Sequence, residues 1–293
     1  MNKLITEKVV NTLDAFHLNV QEIVEGFMVG LHKSPYHGYS VEFADYRQYI
    51  PGDQIKDIDW KQYAKTDRYY VRRFEDETNV NAYILLDHSK SMSFTSHKVE
   101  KLEYAKHLAA ALTYLINKQN DAVGLVTYND EISYWQPPKT NQAFIAGIYK
   151  KLFELESDSK TNSIKILHQI AEKIKKRSLI IIISDLLDSA EDLVKGLKHF
   201  RYLKHDVIVF HIVDQQEEDF NYSKETIFVD SESKSEIRVF PWQIKDKYQA
   251  AYSDFFNYIK EQCLHSKIEY VSFTSQTALE DNLLKYLIKR SKL

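Results

Sequence analysis

The chain is short of the residues on which several common chemistries depend. Cys263 is the only cysteine among 293 residues, so no internal disulfide and no cysteine-cluster metal site can form, and a reducing compartment is expected. Only seven glycines occur, and neither G-x-x-x-x-G-K-[ST] nor G-x-G-x-x-G is among the motifs they make, which leaves no glycine-rich phosphate cradle. No G-x-S-x-G elbow is present, and the eleven histidines show no H-E-x-x-H or comparable zinc spacing. Charge of one sign is also lacking. A formal net charge of −3 with bases dispersed among acids argues against nucleic acid or an anionic membrane surface as a partner. The longest purely apolar run, Leu179 to Ile183, is far too short to span a bilayer, and Glu7 and Asp14 interrupt the amino-terminal pattern where a secretory signal would need an apolar core. A cytoplasmic protein without membrane insertion is the expectation. The terminal Ser291-Lys292-Leu293 has the form of a peroxisomal address but reads as a coincidence after a Lys-rich helix.

What the chain does have is an apolar composition of 44%, enough for a full core, and a regular alternation of strand and helix patterns. Ile5, Val9, Leu13 and Phe16, then Val20, Ile23, Val24, Phe27 and Leu31, repeat at helical spacing. Residues 35 to 78 change to Tyr, Asp, Arg and turn residues and read as an extended arm with a ribbon over Tyr69 to Phe74. From 79 onward the expected order is strand 80–87, helix 98–118, strand 121–128 with a short antiparallel partner near 131–135, helices 141–154 and 163–176, strand 178–185, helix 189–203 and strand 206–213. A hairpin at about 225–240, a long helix 242–264, strand 268–273 and helix 278–290 complete it. The hairpin is expected to pair with the Tyr69 to Phe74 ribbon. This gives an α/β fold with a doubly wound, mostly parallel sheet, divided into residues 1–78, an N-terminal helical and ribbon extension, and residues 79–293, the sheet domain with its inserted hairpin.

The segment that carries chemistry is 81 to 92, where the strand Asn-Ala-Tyr-Ile-Leu-Leu runs into Asp87-x-Ser89-x-Ser91. One carboxylate and two hydroxyls on alternate residues are hard oxygen ligands that can converge on a small divalent cation, with water completing the shell. Average composition produces this pattern in roughly one chain of this length in ten, so its weight comes from its position after a buried strand. In open α/β sheets ligands bind beyond the carboxyl ends of the strands where the strand order reverses. Asp185 ends a second long strand and Thr161 lies in a loop ahead of a helix. If the strands ending at Asp87 and Asp185 are neighbours across that crevice, Asp87, Ser89, Ser91, Thr161 and Asp185 can surround one ion. The bland alternative is a polar loop in which Asp87 caps the next turn and the serines bond backbone amides.

Together these features are similar to the metal-ion-dependent adhesion site of von Willebrand factor A-like domains. The series Gly30, Ser34, Gly38, Glu42-Phe43, Arg47-x-Tyr49, Pro51-Gly52-Asp53, Ile58-Asp59-Trp60 and Asp87-x-Ser89-x-Ser91-Met92, continued by Asp206 to Phe210 and Tyr286-Leu287, resembles more narrowly the bacterial family called domain of unknown function fifty-eight. The resemblance implies a fold of von Willebrand factor A type and a gene neighbourhood shared with MoxR-type AAA ATPases, which assist assembly or activation of protein complexes. It also implies direct binding by Ser89, Ser91 and Thr161, with Asp87 and Asp185 holding waters or the ion. Lys160-Thr161-Asn162 departs from the family pattern, which often has glycines before the Thr and an Asp after it; a lysine there opposes cation binding.

The expected function is therefore a non-catalytic, divalent-metal-dependent interaction module. Mg²⁺, with Mn²⁺ or Ca²⁺ as substitutes, keeps an exchangeable position that a protein partner's Asp or Glu fills. A metal-dependent phosphate hydrolase, for which Asp188 or His88 would be nominated as base, and a scaffold with a vestigial metal site are the alternatives. Arg47, Asp53, Asp57, Asp59, Trp60 and Arg72 form a second candidate, a charged and aromatic recognition surface for a partner, against the reading of a salt-bridged strap. Asp53, Asp57 and Asp59 lack the Gly and terminal Glu of a calcium loop.

Overall fold

Strand β1, Ser40–Gln48, pairs antiparallel with β2, Tyr70–Glu77, and the short helix α1, Trp60–Thr66, lies between them in sequence. The structure, a computed structural model, describes Phe16 and residues 40–50, 58–77, 80–157, 163–229 and 236–290. Residues 33–80 form one compact unit, and the remainder forms a second. In the smaller unit the ribbon exists as expected, but its expected partner is replaced: β2 pairs with β1, from Ser40 opposite Glu77 to Gln48 opposite Tyr70 with a register shift between Phe43 and Asp45, and not with the hairpin near 225–240. Pairing with the nearer chain segment closes the shorter loop, which costs less entropy. Helix α1 is a second correction to the extended-arm reading. Asp59 starts it, its Oδ1 accepting from Lys61 N–H at 2.9 Å and Gln62 N–H at 3.1 Å, and Asp67 ends it in the left-handed region.

The larger unit runs β3 (Asn81–Asp87), α2 (Lys101–Lys118), β4 (Ala122–Tyr128), β5 (Ile132–Lys139), α3 (Gln142–Phe153), α4 (Ser163–Lys173), β6 (Leu179–Ser184), α5 (Ala190–Tyr202), β7 (Asp206–Val213), α6 (Gln215–Asp219), β8 (Thr226–Val229), β9 (Glu236–Val239), α7 (Pro241–His265), β10 (Glu269–Thr274) and α8 (Leu279–Arg290). Strand order in the main sheet is β10-β7-β6-β3-β4-β5, all parallel except β5. The doubly wound, mostly parallel sheet is thus what folds, and every strand and long helix expected between 79 and 290 is present. Helix α6 was not anticipated. Five residues are too few to show a helical period.

Burial explains the sequence patterns. Central strands β3 and β6 are covered on both faces, so Ile84, Leu85 and Leu86, and Ile180 to Ile183, are all buried and the alternation of a half-exposed strand is lost. Packed against them are Leu167 and Ile170 of α4, Leu197 and Phe200 of α5, and Ile259 and Cys263 of α7. Edge strand β5 keeps an exposed face and carries Pro137 and Pro138 opposite Gly124 in a bulge. The β8–β9 hairpin stands apart as its own two-stranded sheet. Of the amino-terminal segment only Phe16 is described, helical and buried against the rings of His107 and Phe153. The remaining residues of the two expected amino-terminal helices, and Ser291-Lys292-Leu293, lie outside the described residues.

Candidate metal-binding site

The chain leaves β3 for α2, β4 and β5 on one side of the sheet, and β6, β7 and β10 are added on the other. Strand order therefore reverses at β3, and the crevice lies between β3 and β6, whose residues pair from Ala82 opposite Leu179 to Leu86 opposite Ile183. Asp87 and Asp185 follow immediately at the carboxyl ends of these neighbouring strands, so the topological condition set by the sequence is met. Both side chains are buried; Asp87 is 2% exposed.

Around Asp87 the loop is closely ordered. Asp87 Oδ1 accepts from Ser89 N–H at 2.9 Å, turning the chain into a 3₁₀ helix over Lys90–Ser93. Ser184 Oγ donates to Asp87 Oδ2 at 2.7 Å and accepts from Leu186 N–H at 2.9 Å. Ser89 Oγ and Ser91 Oγ stand 3.1 Å apart. Two oxygens on adjacent corners of a Mg²⁺ octahedron with bonds of about 2.1 Å are separated by about 3.0 Å, so the hydroxyl pair fits one edge of such a shell. The donor set is all oxygen, which is the chemistry a hard divalent cation selects. Thr161, Lys160 and Asn162 lie outside the described residues, so the fifth expected ligand is not placed.

Electrostatics at the site are dominated by burial. Desolvation, then the Asp185 charge, pushes the Asp87 carboxyl up to about 6, against the opposing hydrogen bonds from Ser184 and Ser89. Tyr128, on β4, is driven well above its ordinary range by burial and then by Asp87 and Asp185, and its hydroxyl stays neutral. His211 on β7 pairs across from Ser184; burial pulls it down to about 3, and it stacks on Phe256 with Nδ1 2.6 Å from Tyr270 Oη. Leu186, directly after Asp185, adopts φ 56, a strained backbone that turns the chain sharply at the site.

Three residues that sequence reasoning missed complete the site: Ser184, Lys101 and Glu217. Lys101 is the first residue of α2 and is 0% exposed. Its ammonium donates to Asp185 Oδ2 at 2.8 Å, Glu217 Oε1 at 2.7 Å and Glu217 Oε2 at 3.0 Å. Burial works against the charged amine, but Asp185 and Glu217 outweigh it and hold its pKa above the ordinary value. Glu217 is raised instead, because its own burial exceeds the pull of Lys101. Helix α6 positions Glu217 through a capping box: Asp214 Oδ1 accepts from Gln216 N–H at 2.8 Å while Glu217 Oε2 accepts from Asp214 N–H at 3.3 Å. Asp214 also holds Ser96, which donates from N–H at 2.8 Å and from Oγ at 2.6 Å. A lysine at a helix start gives no sequence signal of this kind. Only its distance from residues 185 and 217 in the fold reveals it.

The other nominated residues fall into two groups. His88 has its ring nitrogens on Ser133 Oγ at 2.8 Å and Glu156 O at 3.2 Å, and Asp188 Oδ1 accepts from Ser189 N–H at 2.7 Å. In the smaller unit Asp59 is buried and caps α1, whereas Trp60 is 55% exposed with its ring against Tyr63. Arg47 and Arg72 sit on β1 and β2, and Asp53 and Asp57 lie outside the described residues.

Comparison with known proteins bears on the family and the fold. The chain is 22% identical over 231 residues to "Uncharacterized protein Rv1480" of Mycobacterium tuberculosis, covering 77% of this chain and 72% of that one, and equally to "Uncharacterized protein Mb1516" of Mycobacterium bovis. Among solved structures it is similar to an aerotolerance-related membrane protein from Bacteroides fragilis, with TM-score 0.50, 16% identity, and coverage of 72% of this chain and 98% of that one. The SpRpn10 VWA domain is also similar, with TM-score 0.43, 15% identity, and coverage of 72% and 95%. Likeness at these identities concerns the fold alone. Among the described residues no helix is long and apolar enough to cross a membrane. Residues 45–255 match the family described as "Protein of unknown function DUF58", and the chain belongs to that family.

Proposed function

We propose that the chain is a non-catalytic protein interaction module whose contact is completed by a divalent ion at the β3–β6 crevice. One observation carries this reading: the Ser89 and Ser91 hydroxyls stand 3.1 Å apart at the mouth of β3, beside two buried carboxylates. Charge supports it. With Asp87, Asp185 and Glu217 ionised against Lys101, two negative charges remain in a buried pocket, and one divalent cation balances them. Ser89, Ser91 and, by family likeness, Thr161 would hold Mg²⁺ or Mn²⁺ directly, while Asp87 and Asp185 would orient its waters. The ion would supply an open coordination position for a partner's Asp or Glu. A MoxR-type AAA ATPase or its client, working in a cytoplasmic assembly step, is the partner class that family resemblance favours.

Titration calorimetry of the full chain with MgCl₂ and MnCl₂ tests the site. Binding by the wild type that is lost in a Ser89→Ala, Ser91→Ala double variant is the expected result, and undiminished binding in that variant would refute the assignment. Capture of a co-expressed MoxR-type ATPase that survives chelation would refute the metal-bridged contact. A second reading is favoured by a specific observation. Lys101 already sits on Asp185, as in a scaffold that replaces the ion with an ammonium, and such a scaffold binds neither Mg²⁺ nor Mn²⁺.

A further inference from the structure

The buried amine of Lys101 is not one of the oxygen donors of the cradle. Its three N–H donors meet three acceptors, one on Asp185 and two on Glu217, so it is fully satisfied and fixed. It reaches the pocket from the first turn of α2, opposite the strand that supplies Asp185, and Phe94, from the segment before α2, has its ring centroid 5.6 Å from the amine. Glu217 is held in turn by the Asp214 capping box, whose aspartate is tied to Ser96 and Gln276. An ammonium placed by this much structure beside a carboxylate of the oxygen cradle repels any second cation there and occupies one of the two Asp185 oxygens.

We infer that Lys101 sets the cation affinity of the crevice: it is a tethered counter-charge that shares Asp185 with a divalent ion, and Glu217 restrains it. This inference rests on the metal-binding reading and assigns the residue that tunes it. Lys101→Met removes the competing charge while keeping the length of the side chain, so a divalent ion then faces three unbalanced carboxylates. Glu217→Gln removes one negative charge and leaves the ammonium with Asp185 as its only ionic partner, which strengthens the competition. The two substitutions therefore move affinity in opposite directions. A merely structural Lys101 would give lost stability without tighter binding.

The experiment is calorimetric titration of MnCl₂ into the full chain and both variants, with thermal melts in chelator and in excess Mn²⁺. The expected result is binding at least about tenfold tighter in Lys101→Met, which is about 1.4 kcal/mol, and several-fold weaker in Glu217→Gln. The melting temperature of Lys101→Met is also expected to rise with Mn²⁺ more steeply than that of the wild type. If Lys101→Met is unfolded in chelator, folding restored by Mn²⁺ supports the inference; failure to restore it, together with unchanged affinity in Glu217→Gln, overturns it. Wild-type binding with no gain in Lys101→Met overturns the inference and leaves the metal site standing. Binding by Lys101→Met alone removes the metal reading for the native chain and supports the inference. No binding by any of the three overturns both.

Discussion

Replacing Asp87 by Asn should stabilise the ion-free protein. Burial and the neighbouring Asp185 carboxylate raise Asp87 from an ordinary value of 3.8 to about 6. Because an acid with a raised folded pKa holds its proton more tightly in the folded state, stability falls as pH rises from about 4 to about 6, and the loss is complete above that window. Slightly more than two pKa units corresponds to about 3 kcal/mol. Asn keeps an oxygen for Ser89 N–H, and its amide donates to Ser184 Oγ where the hydroxyl donated to the carboxylate, so both contacts remain possible without the charge. Thermal melts in chelator at pH 7.5 should place Asp87→Asn about 5 °C above the wild type. As pH falls below 3.8 the two should converge, since Asp87 is then protonated in both folded and unfolded wild type. Adding Mn²⁺ at pH 7.5 should raise the wild type and leave the variant where it was; a hundredfold excess over Kd supplies about 2.7 kcal/mol, nearly the whole difference. Equal melting at pH 7.5, or a difference independent of pH, would refute the electrostatic account of this pocket.

Other perturbations follow from the packing. A Cβ on Gly124 would lie 2.5 Å from Gln136 O and 2.8 Å from Pro138 N, backbone atoms that cannot swing aside, so Gly124→Ala should cost about 3 kcal/mol in urea unfolding. Asp214→Ala removes the cap of α6 and the tie to Ser96; a loss of about 2 kcal/mol is expected, with amide exchange rising first in α6 and at Ser96. Cys263 is buried and its thiol is pushed up to about 12, so a disulfide-forming dye should fail to label it at pH 8 until the chain is unfolded. Labelling of the native protein at the rate of a free thiol would contradict the packing of α7.

The sheet was legible because its signal is local. A run such as Asn81 to Leu86, or Leu179 to Ile183, announces a doubly covered strand, and side-chain oxygens at its end announce a mouth. That the strands ending at Asp87 and Asp185 are neighbours was only a condition for the site in the sequence, and the β3–β6 pairing meets it. Lys101, Ser184 and Glu217 were not legible, because each has an ordinary local setting: a helix start, a strand end and a five-residue helix. Their roles come from approaches across 84, 97 and 116 residues of chain. The smaller unit shows the same limit. Seven residues of α1 carry too little period to declare a helix, and β1 has too weak an alternation to be chosen over the hairpin as partner of β2.

One feature of the sheet's far edge bears on how the molecule behaves in a crowded solution. Pro137 and Pro138 leave two successive positions of β5 with no amide hydrogen, and the bulge beside Gly124 breaks the regular spacing of those that remain. A stray extended chain approaching this border meets a ladder with a missing rung beside an irregular step, so strand-to-strand growth from that side is disfavoured by covalent structure that no change of salt or pH can undo.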